Sequence, residues 1–195
     1  MATEAMVVHC WDTLSARLRQ LTPPRRPAFA DAVAQHPFFV TWDIDGDRLR
    51  GCIGCLSALP LASLGEYALK ASLEDRRFKP VVAEELRRMT CKVSLLTNYE
   101  DASDWRDWTV GLHGILINFS AGGRSYSATF LPDVMPAQGW DVRAAVLAAV
   151  KKSGYDAPVT AELLATIRLQ RYQSSIAGPL DFAAWQALTQ SPALF

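Results

Sequence analysis

Phe38-Phe-Val-Thr-Trp-Asp-Ile-Asp-Gly-Asp-Arg-Leu-Arg-Gly-Cys-Ile-Gly54 is the stretch that decides the fold. Aromatic and β-branched residues fill Phe38–Ile44, Asp45-Gly46 follows, and a second strand-like run carries Arg50–Cys52. Asp-Gly between two such runs is a strong hairpin signal, because a type I′ turn needs positive φ at both central positions. Arg50–Cys52 is thus read as the second arm of a hairpin. Residues two apart in an extended chain point the same way. Arg50 and Cys52 are expected on one face, with Leu49, Gly51 and Ile53 on the other. Glycine is a poor strand residue unless something approaches the backbone closely or the strand bends. Gly51 and Gly54 around a cysteine that faces an arginine therefore read as a site.

Outward from this hairpin the chain alternates helices with paired strands. Val7, Trp11, Leu14, Leu18 and Leu21 recur at spacings of four and three, as on one face of a helix. Thr3 is placed to cap its start, and Pro23-Pro24 ends it. Pro23–Pro27, with Arg25 and Arg26, reads as a loop, and His36-Pro37 as a turn. Leu61–Glu74 reads as a helix with Leu64, Ala68 and Ala71 on one face, ending in the basic run Arg76, Arg77 and Lys79 around Phe78. Cys91–Thr97 reads as a strand and Asn98–Thr109 as a loop or short helical turn holding Trp105 and Trp108. His113–Phe119 and Arg124–Phe130 form a second hairpin around Ala121-Gly-Gly123, and Tyr126, Ala128 and Phe130 alternate with Ser125, Ser127 and Thr129. Val142–Val150 makes a helix whose Lys151 and Lys152 suit its negative end, with Gly154 just beyond it. A strand over Thr166–Tyr172 and a short helix near Phe182–Leu188 complete the chain. Hairpin-paired strands interspersed with helices give α+β, a mostly antiparallel sheet flanked by helices.

Twenty basic residues balance twenty acidic ones, so no global field attracts nucleic acid or an anionic membrane, although a local basic patch remains open. No run approaches the roughly 18 apolar residues of a membrane span, and Ala144–Val150 is among the longest at seven. The amino terminus, with Glu4 and no basic segment ahead of an apolar run, does not read as a signal peptide. Cys10, Cys52, Cys55 and Cys91 do not form a secreted disulfide framework in a chain of this size. These features place the protein inside the cell, in cytoplasm or nucleus, with reduced thiols and no membrane association.

Cys52 is the first chemical candidate, because a neighbouring guanidinium favours the thiolate. The competing reading is a small buried hydrophobe whose Arg50 is salt-bridged elsewhere. Cys52 and Cys55 form Cys-x-x-Cys, but a spacing of three puts their side chains on opposite strand faces, and no second pair completes a zinc site. His113, opening a strand before Gly114, is a candidate base against a structural role for a strand-end histidine. Asp75, Arg76, Arg77, Phe78 and Lys79 suit clamping of a phosphate or carboxylate, or simply a solvated helix end. There is no phosphate loop, serine elbow or His-Glu-x-x-His, and no metal or cofactor is expected.

Leu49-Arg-Gly-Cys-Ile-Gly54 closely resembles the signature of the AMMECR family, named after the chromosomal region tied to Alport syndrome, midface hypoplasia, intellectual disability and elliptocytosis. Phe39-Val-Thr-Trp42, Asp75-Arg-Arg-Phe78, Val93-Ser-Leu-Leu-Thr-Asn98 and Val110-Gly-Leu-His-Gly114 continue the likeness. So do Leu131-Pro-Asp-Val134, Gly139-Trp-Asp141, Lys152-Ser-Gly-Tyr155, Ala157-Pro-Val-Thr160 and Arg171-Tyr-Gln-Ser174, and the chain looks closest to eukaryotic members. Cys55 departs from the family pattern, where threonine is usual, which argues against joint work with Cys52. The resemblance implies residues 1–195 as a single domain of two intimately packed subdomains, with the signature lining a cleft. It implies a basic intracellular role such as RNA or nucleic-acid metabolism. A prokaryotic association with a Memo-like protein and a radical-SAM protein points to a partner of that pathway.

Together these readings predict binding of an anionic small molecule or RNA by Arg50, Gly51, Gly54, Arg77 and Phe78. One rival is a cysteine-dependent enzyme with Cys52 as nucleophile and His113 or Asp75 assisting. The other is a protein-interaction adaptor that exposes Trp105 and Trp108.

Overall fold

The computed structural model describes residues 1–25, 27, 29 and 35–189. Arg26 of the expected loop lies outside them. The described elements, in chain order, are α1 (Glu4–Leu18), β1 (Gln35–Ile44), β2 (Arg48–Pro60), α2 (Leu64–Leu69), β3 (Met89–Asp101), β4 (Gly114–Ala121), β5 (Arg124–Phe130), α3 (Val134–Ala137), α4 (Val142–Lys152), α5 (Ala161–Thr166), β6 (Arg168–Asp181) and α6 (Phe182–Thr189). The strands hydrogen-bond in the order β2-β1-β3-β6-β4-β5. The pairs β1–β2, β1–β3, β4–β5 and β4–β6 are antiparallel. The α+β class and the helix-flanked antiparallel sheet are thus as expected. Contacts divide the chain into a first unit, Met1–Leu95 with Ser175–Phe195, and a second, Leu96–Ser174, so β3 and β6 each run through both.

The first unit is organised around tryptophans. Val7, Cys10, Trp11 and Leu14 of α1 pack with Phe38, Val40 and Trp42 of β1, Leu64 and Ala68 of α2, and Trp185 of α6. Trp11 meets Trp42 edge-on at 4.8 Å and stacks on Trp185 at 5.7 Å. A buried indole N–H needs an acceptor. Trp11 Nε1 donates to the Leu180 carbonyl and Trp42 Nε1 to that of Ala68, each at 3.0 Å. The helical stripe stops at Leu18. Gln20 takes a positive φ, ending the helix, and Leu21 is 57% exposed. Thr3 occupies the N-cap without a side-chain cap bond.

The β1–β2 hairpin turns where Asp45-Gly46 predicted, with φ of 54° and 98°, but Ile44 pairs with Arg48, so the loop holds three residues. His36 belongs to β1, opposite Leu59, rather than to a turn. After Pro60 a 3-10 turn (Leu61–Ser63), α2 and a π turn (Lys70–Glu74) form one continuous helical segment that buries Leu61, Leu64, Ala68 and Ala71.

In the second unit, Ile115, Ile117, Phe119 and Ala128 of the β4–β5 hairpin pack against Ala145, Val146, Ala149 and Val150 of α4. Asp141 caps α4 by accepting from the Ala144 N–H at 2.7 Å. Two strands run longer than their apolar pattern. β3 continues through Asn98–Asp101, where Asn98 bonds Gln173 and Glu100 pairs with Arg171. β6 starts after α5 and extends to Asp181. Thr160 starts α5 by accepting from the Leu163 N–H, which turns part of the expected strand into helix. Among the described residues, no helix is long and apolar enough to cross a membrane, and no cluster of three His, Cys, Asp or Glu side chains is placed to hold a metal.

Candidate functional site

The second arm of the first hairpin is an edge strand, and an edge strand presents unpaired N–H and C=O groups. Cys52 lies opposite Thr41 of β1. Its N–H donates to Asp75 Oδ2 at 3.0 Å and its carbonyl accepts from Arg77 Nη2 at 3.1 Å. Both groups therefore point to the open edge, as in a non-hydrogen-bonded pair of an antiparallel ladder. The Asp75–Arg77 pair takes the place of a neighbouring strand there, offering one acceptor and one donor.

Asp75 is buried, and its carboxylate accepts from four donors. Besides Cys52 N–H these are Arg77 N–H at 3.1 Å, Arg77 Nε at 3.0 Å and Arg77 Nη2 at 2.6 Å. The Arg77 guanidinium, helped by the Cys52 and Arg77 N–H groups and opposed by burial, holds the Asp75 carboxyl down at about 2. A carboxylate this acidic with every lone pair occupied is a poor proton acceptor near neutral pH. The geometry makes Asp75 an anchor rather than the base assisting Cys52.

Arg50 is the extra residue of a β-bulge. Trp42 pairs with Gly51 and Asp43 with Leu49, leaving Arg50 unopposed. The bulge breaks the two-residue alternation at Arg50, and its guanidinium is held by Glu85. Arg50 Nε and Nη2 fork onto the two Glu85 oxygens at 2.8 and 2.9 Å, and Nη1 donates to the Lys79 carbonyl at 2.9 Å. The guanidinium, with the Val82 N–H adding to it against burial, lowers the Glu85 pKa. Arg50 is thus neutralised and only 11% exposed, so the salt-bridged alternative describes it. Nothing in the sequence announced Glu85, 35 positions away.

Gly51 and Gly54 accommodate the protein itself. A Cβ on Gly51 would lie 1.9 Å from the carbonyl oxygen of Ala71 in the π turn. One on Gly54 would lie 2.2 Å from the Phe38 oxygen and 2.4 Å from the Phe39 ring. The close approach predicted from the glycines is made by the π turn at one and by β1 at the other.

Cys52 is half-buried, and its Sγ accepts a hydrogen bond from Thr41 Oγ1 at 3.2 Å. Arg77, which donates to the Cys52 carbonyl, is close enough to interact electrostatically with the Cys52 sulfur as well. Register sets Cys52 with Thr41 and Phe39 on one face, and Cys55 opposite Phe38 on the other, so the two sulfurs diverge as predicted. Replacing Cys52 by serine removes only a small volume and leaves a hydroxyl facing Thr41. It is expected to cost less than about 1 kcal/mol of unfolding free energy, and chemical denaturation reads this; a larger loss would make the sulfur a packing group.

Phe78, half-buried, lies 5.5 Å from the Arg77 guanidinium and 5.9 Å from that of Arg50. Arg76 and Lys79 are exposed and make no ion pair or hydrogen bond with their side chains among the described residues. His113 belongs to the second unit, where its Nδ1 accepts from the Thr109 N–H at 3.0 Å, which supports the structural role for it. Trp105 and Trp108, at 7% and 6% exposure, lie in the core of that unit. Their burial removes the aromatic surface on which the adaptor reading rested.

The AMMECR1 family model matches residues 7–177. The chain belongs to the AMMECR1 family. It is 45% identical over 183 residues to an uncharacterized protein of Arabidopsis thaliana, covering 90% of this chain and 84% of that one. An uncharacterized protein of Saccharomyces cerevisiae is 40% identical over 140 residues, with 60% of this chain matched to 56% of the yeast protein's length. The crystal structure of an uncharacterized Pyrococcus horikoshii protein superposes with a TM-score of 0.71 at 23% identity, covering 89% of each chain. That archaeal likeness shows that the two share a fold.

Proposed function

We propose that this AMMECR1-family protein binds an anionic group at the β2 edge, with the phosphates of RNA as the ligand class. The observation that carries the reading is the charge left over at residues 75–79. Asp75 and Glu85 neutralise Arg77 and Arg50, which lie by the Phe78 ring, while Arg76 and Lys79, its neighbours in sequence, are exposed and make no ion pair among the described residues. Arg77 Nη1, on a side chain 56% exposed, adds a further donor. Cations around a half-exposed aromatic ring suit a ribose-phosphate backbone and a stacked base. The ligand role expected of Arg50 passes to Arg76, Arg77 and Lys79.

Fluorescence anisotropy with a short single-stranded RNA tests this directly. Arg76→Gln/Lys79→Gln is expected to weaken binding by roughly ten-fold and to flatten its salt dependence, because each phosphate contact releases counterions. Equal affinity and equal salt slope for wild type and the double variant would sink the proposal. Both side chains are exposed, so the fold is retained.

A second reading has its own support in the Thr41 hydroxyl and the Arg77 cation at Cys52, an environment that suits a reactive thiol. In it Cys52 is the nucleophile of an enzyme acting on the same anionic substrate, and Cys52→Ser abolishes turnover without altering RNA affinity.

A further inference from the structure

Two adjoining cavities of about 550 and about 600 Å³ open on the second unit, and Asn118 and Arg168 line both. Asn118 of β4 pairs with Arg168 of β6 on one side and with Ser127 of β5 on the other. Paired residues project from the same face, so the three side chains form one row across three strands. Ser120 and Ser125 form the adjacent row. Arg168 and Asn118 are exposed, and their side chains have no hydrogen-bond or ion partner among the described residues. Arg171 is different, being held by Glu100 and Asp107. The first cavity thus holds three unspent donors, the Arg168 guanidinium, the Asn118 carboxamide and the Ser127 hydroxyl, while Ser120 and Ser125 bond each other.

The second cavity presents the opposite chemistry beyond Arg168. Asp101 and Asp104 line it. Asp101 Oδ1 accepts from Gln170 Nε2 at 2.8 Å, which leaves Oδ2 of this lining residue as a further acceptor. A simple anion suits the donor end but meets repulsion from the carboxylates, and a cation meets the reverse. A molecule carrying both an anionic group and neighbouring hydroxyls matches the two ends together.

We propose that this trough binds a phosphorylated polyol of the ribose phosphate type, with its phosphate at Arg168, Asn118 and Ser127 and its hydroxyls at Asp101. Arginine grips phosphate through paired N–H donors, and an ionised carboxylate is the strongest acceptor a sugar hydroxyl can meet. This site lies wholly in the second unit and does not depend on Arg76 or Lys79 of the first.

Nuclear magnetic resonance titration with ribose 5-phosphate is the test, read at the backbone amides of Asn118, Ser127, Arg168 and Asp101. Those resonances are expected to shift, with ribose and inorganic phosphate each binding at least roughly ten-fold more weakly. Arg168→Ala is expected to weaken ribose 5-phosphate by roughly ten-fold or more, and Asp101→Asn to weaken it while sparing phosphate. Arg76→Gln/Lys79→Gln is expected to change nothing here, which separates this site from RNA binding at the β2 edge. Tighter binding of ribose 5-phosphate than of a 5′-phosphorylated RNA assigns a free sugar phosphate as the source, and the reverse order assigns a nucleic-acid end. Unshifted amides in this row, or unchanged affinity in Arg168→Ala, would overturn the proposal.

Discussion

Gly51→Ala is expected to lower the unfolding free energy by about 3 kcal/mol, at the top of the usual range for overpacking. The new methyl would sit 1.9 Å from the Ala71 carbonyl oxygen. The obstacle is backbone inside a helical segment, so no side-chain rotation relieves it. Either β2 separates from the π turn Lys70–Glu74, or that turn moves and carries Asp75, the next residue, away from the Cys52 N–H. Gly46→Ala is the matched control. Gly46 has a φ of +98°, and a methyl added there would meet nothing within 4 Å. The cost at Gly46 is therefore conformational, about 1 kcal/mol. Urea denaturation of both variants compares them, and equal losses would show that Gly51 is not packed against Ala71.

Asp75→Ala is expected to cost about 2–3 kcal/mol, because it leaves the Cys52 N–H and three Arg77 donors without their acceptor. The same contacts give the stability a pH signature. The Asp75 pKa is about 2 in the folded chain against an ordinary 3.8. A carboxyl depressed on folding contributes stability that is fully present above the unfolded value and is lost as pH falls through the folded one. Wild type should therefore shed the Asp75 contribution between about pH 4 and pH 2, while Asp75→Asn, having no proton to gain, lacks that component. Parallel acid profiles for the two proteins would show that the carboxylate is not held by Arg77 as described.

The parts of this fold that were legible in sequence are those written in local chemistry. The Phe38–Gly54 hairpin, its Asp45-Gly46 turn, the α4 stripe and the divergence of Cys52 from Cys55 follow from periodicity and turn preference. The ends of β3 and the start of β6 were not, because their polar residues are strand only through partners such as Gln173 for Asn98. The site was half legible. Asp75, Arg77, Phe78 and the two glycines stood out as residue types, and they do assemble around the β2 edge. Their roles depended on a bulge. One extra residue at Arg50 breaks the two-residue alternation that put it beside Cys52, and Glu85 holds its guanidinium. Bulges leave no periodic trace, and neither do hydrogen bonds between residues 35 apart.

The proposed anion site requires a positive field at this edge, supplied by Arg76 and Lys79, whose side chains make no ion pair among the described residues. Parallel alkylation with anionic iodoacetate and neutral iodoacetamide measures that field at the Cys52 sulfur. Fragment-ion mass spectrometry assigns the alkylation to Cys52 or to half-buried Cys55, three residues on, and Cys10 and Cys91 are buried. The ratio of iodoacetate to iodoacetamide rates at Cys52 is expected to exceed that of the Arg76→Gln/Lys79→Gln variant several-fold at low ionic strength, and to fall when a short RNA is added. A ratio that neither the two substitutions nor RNA alters would contradict an anion site at this edge.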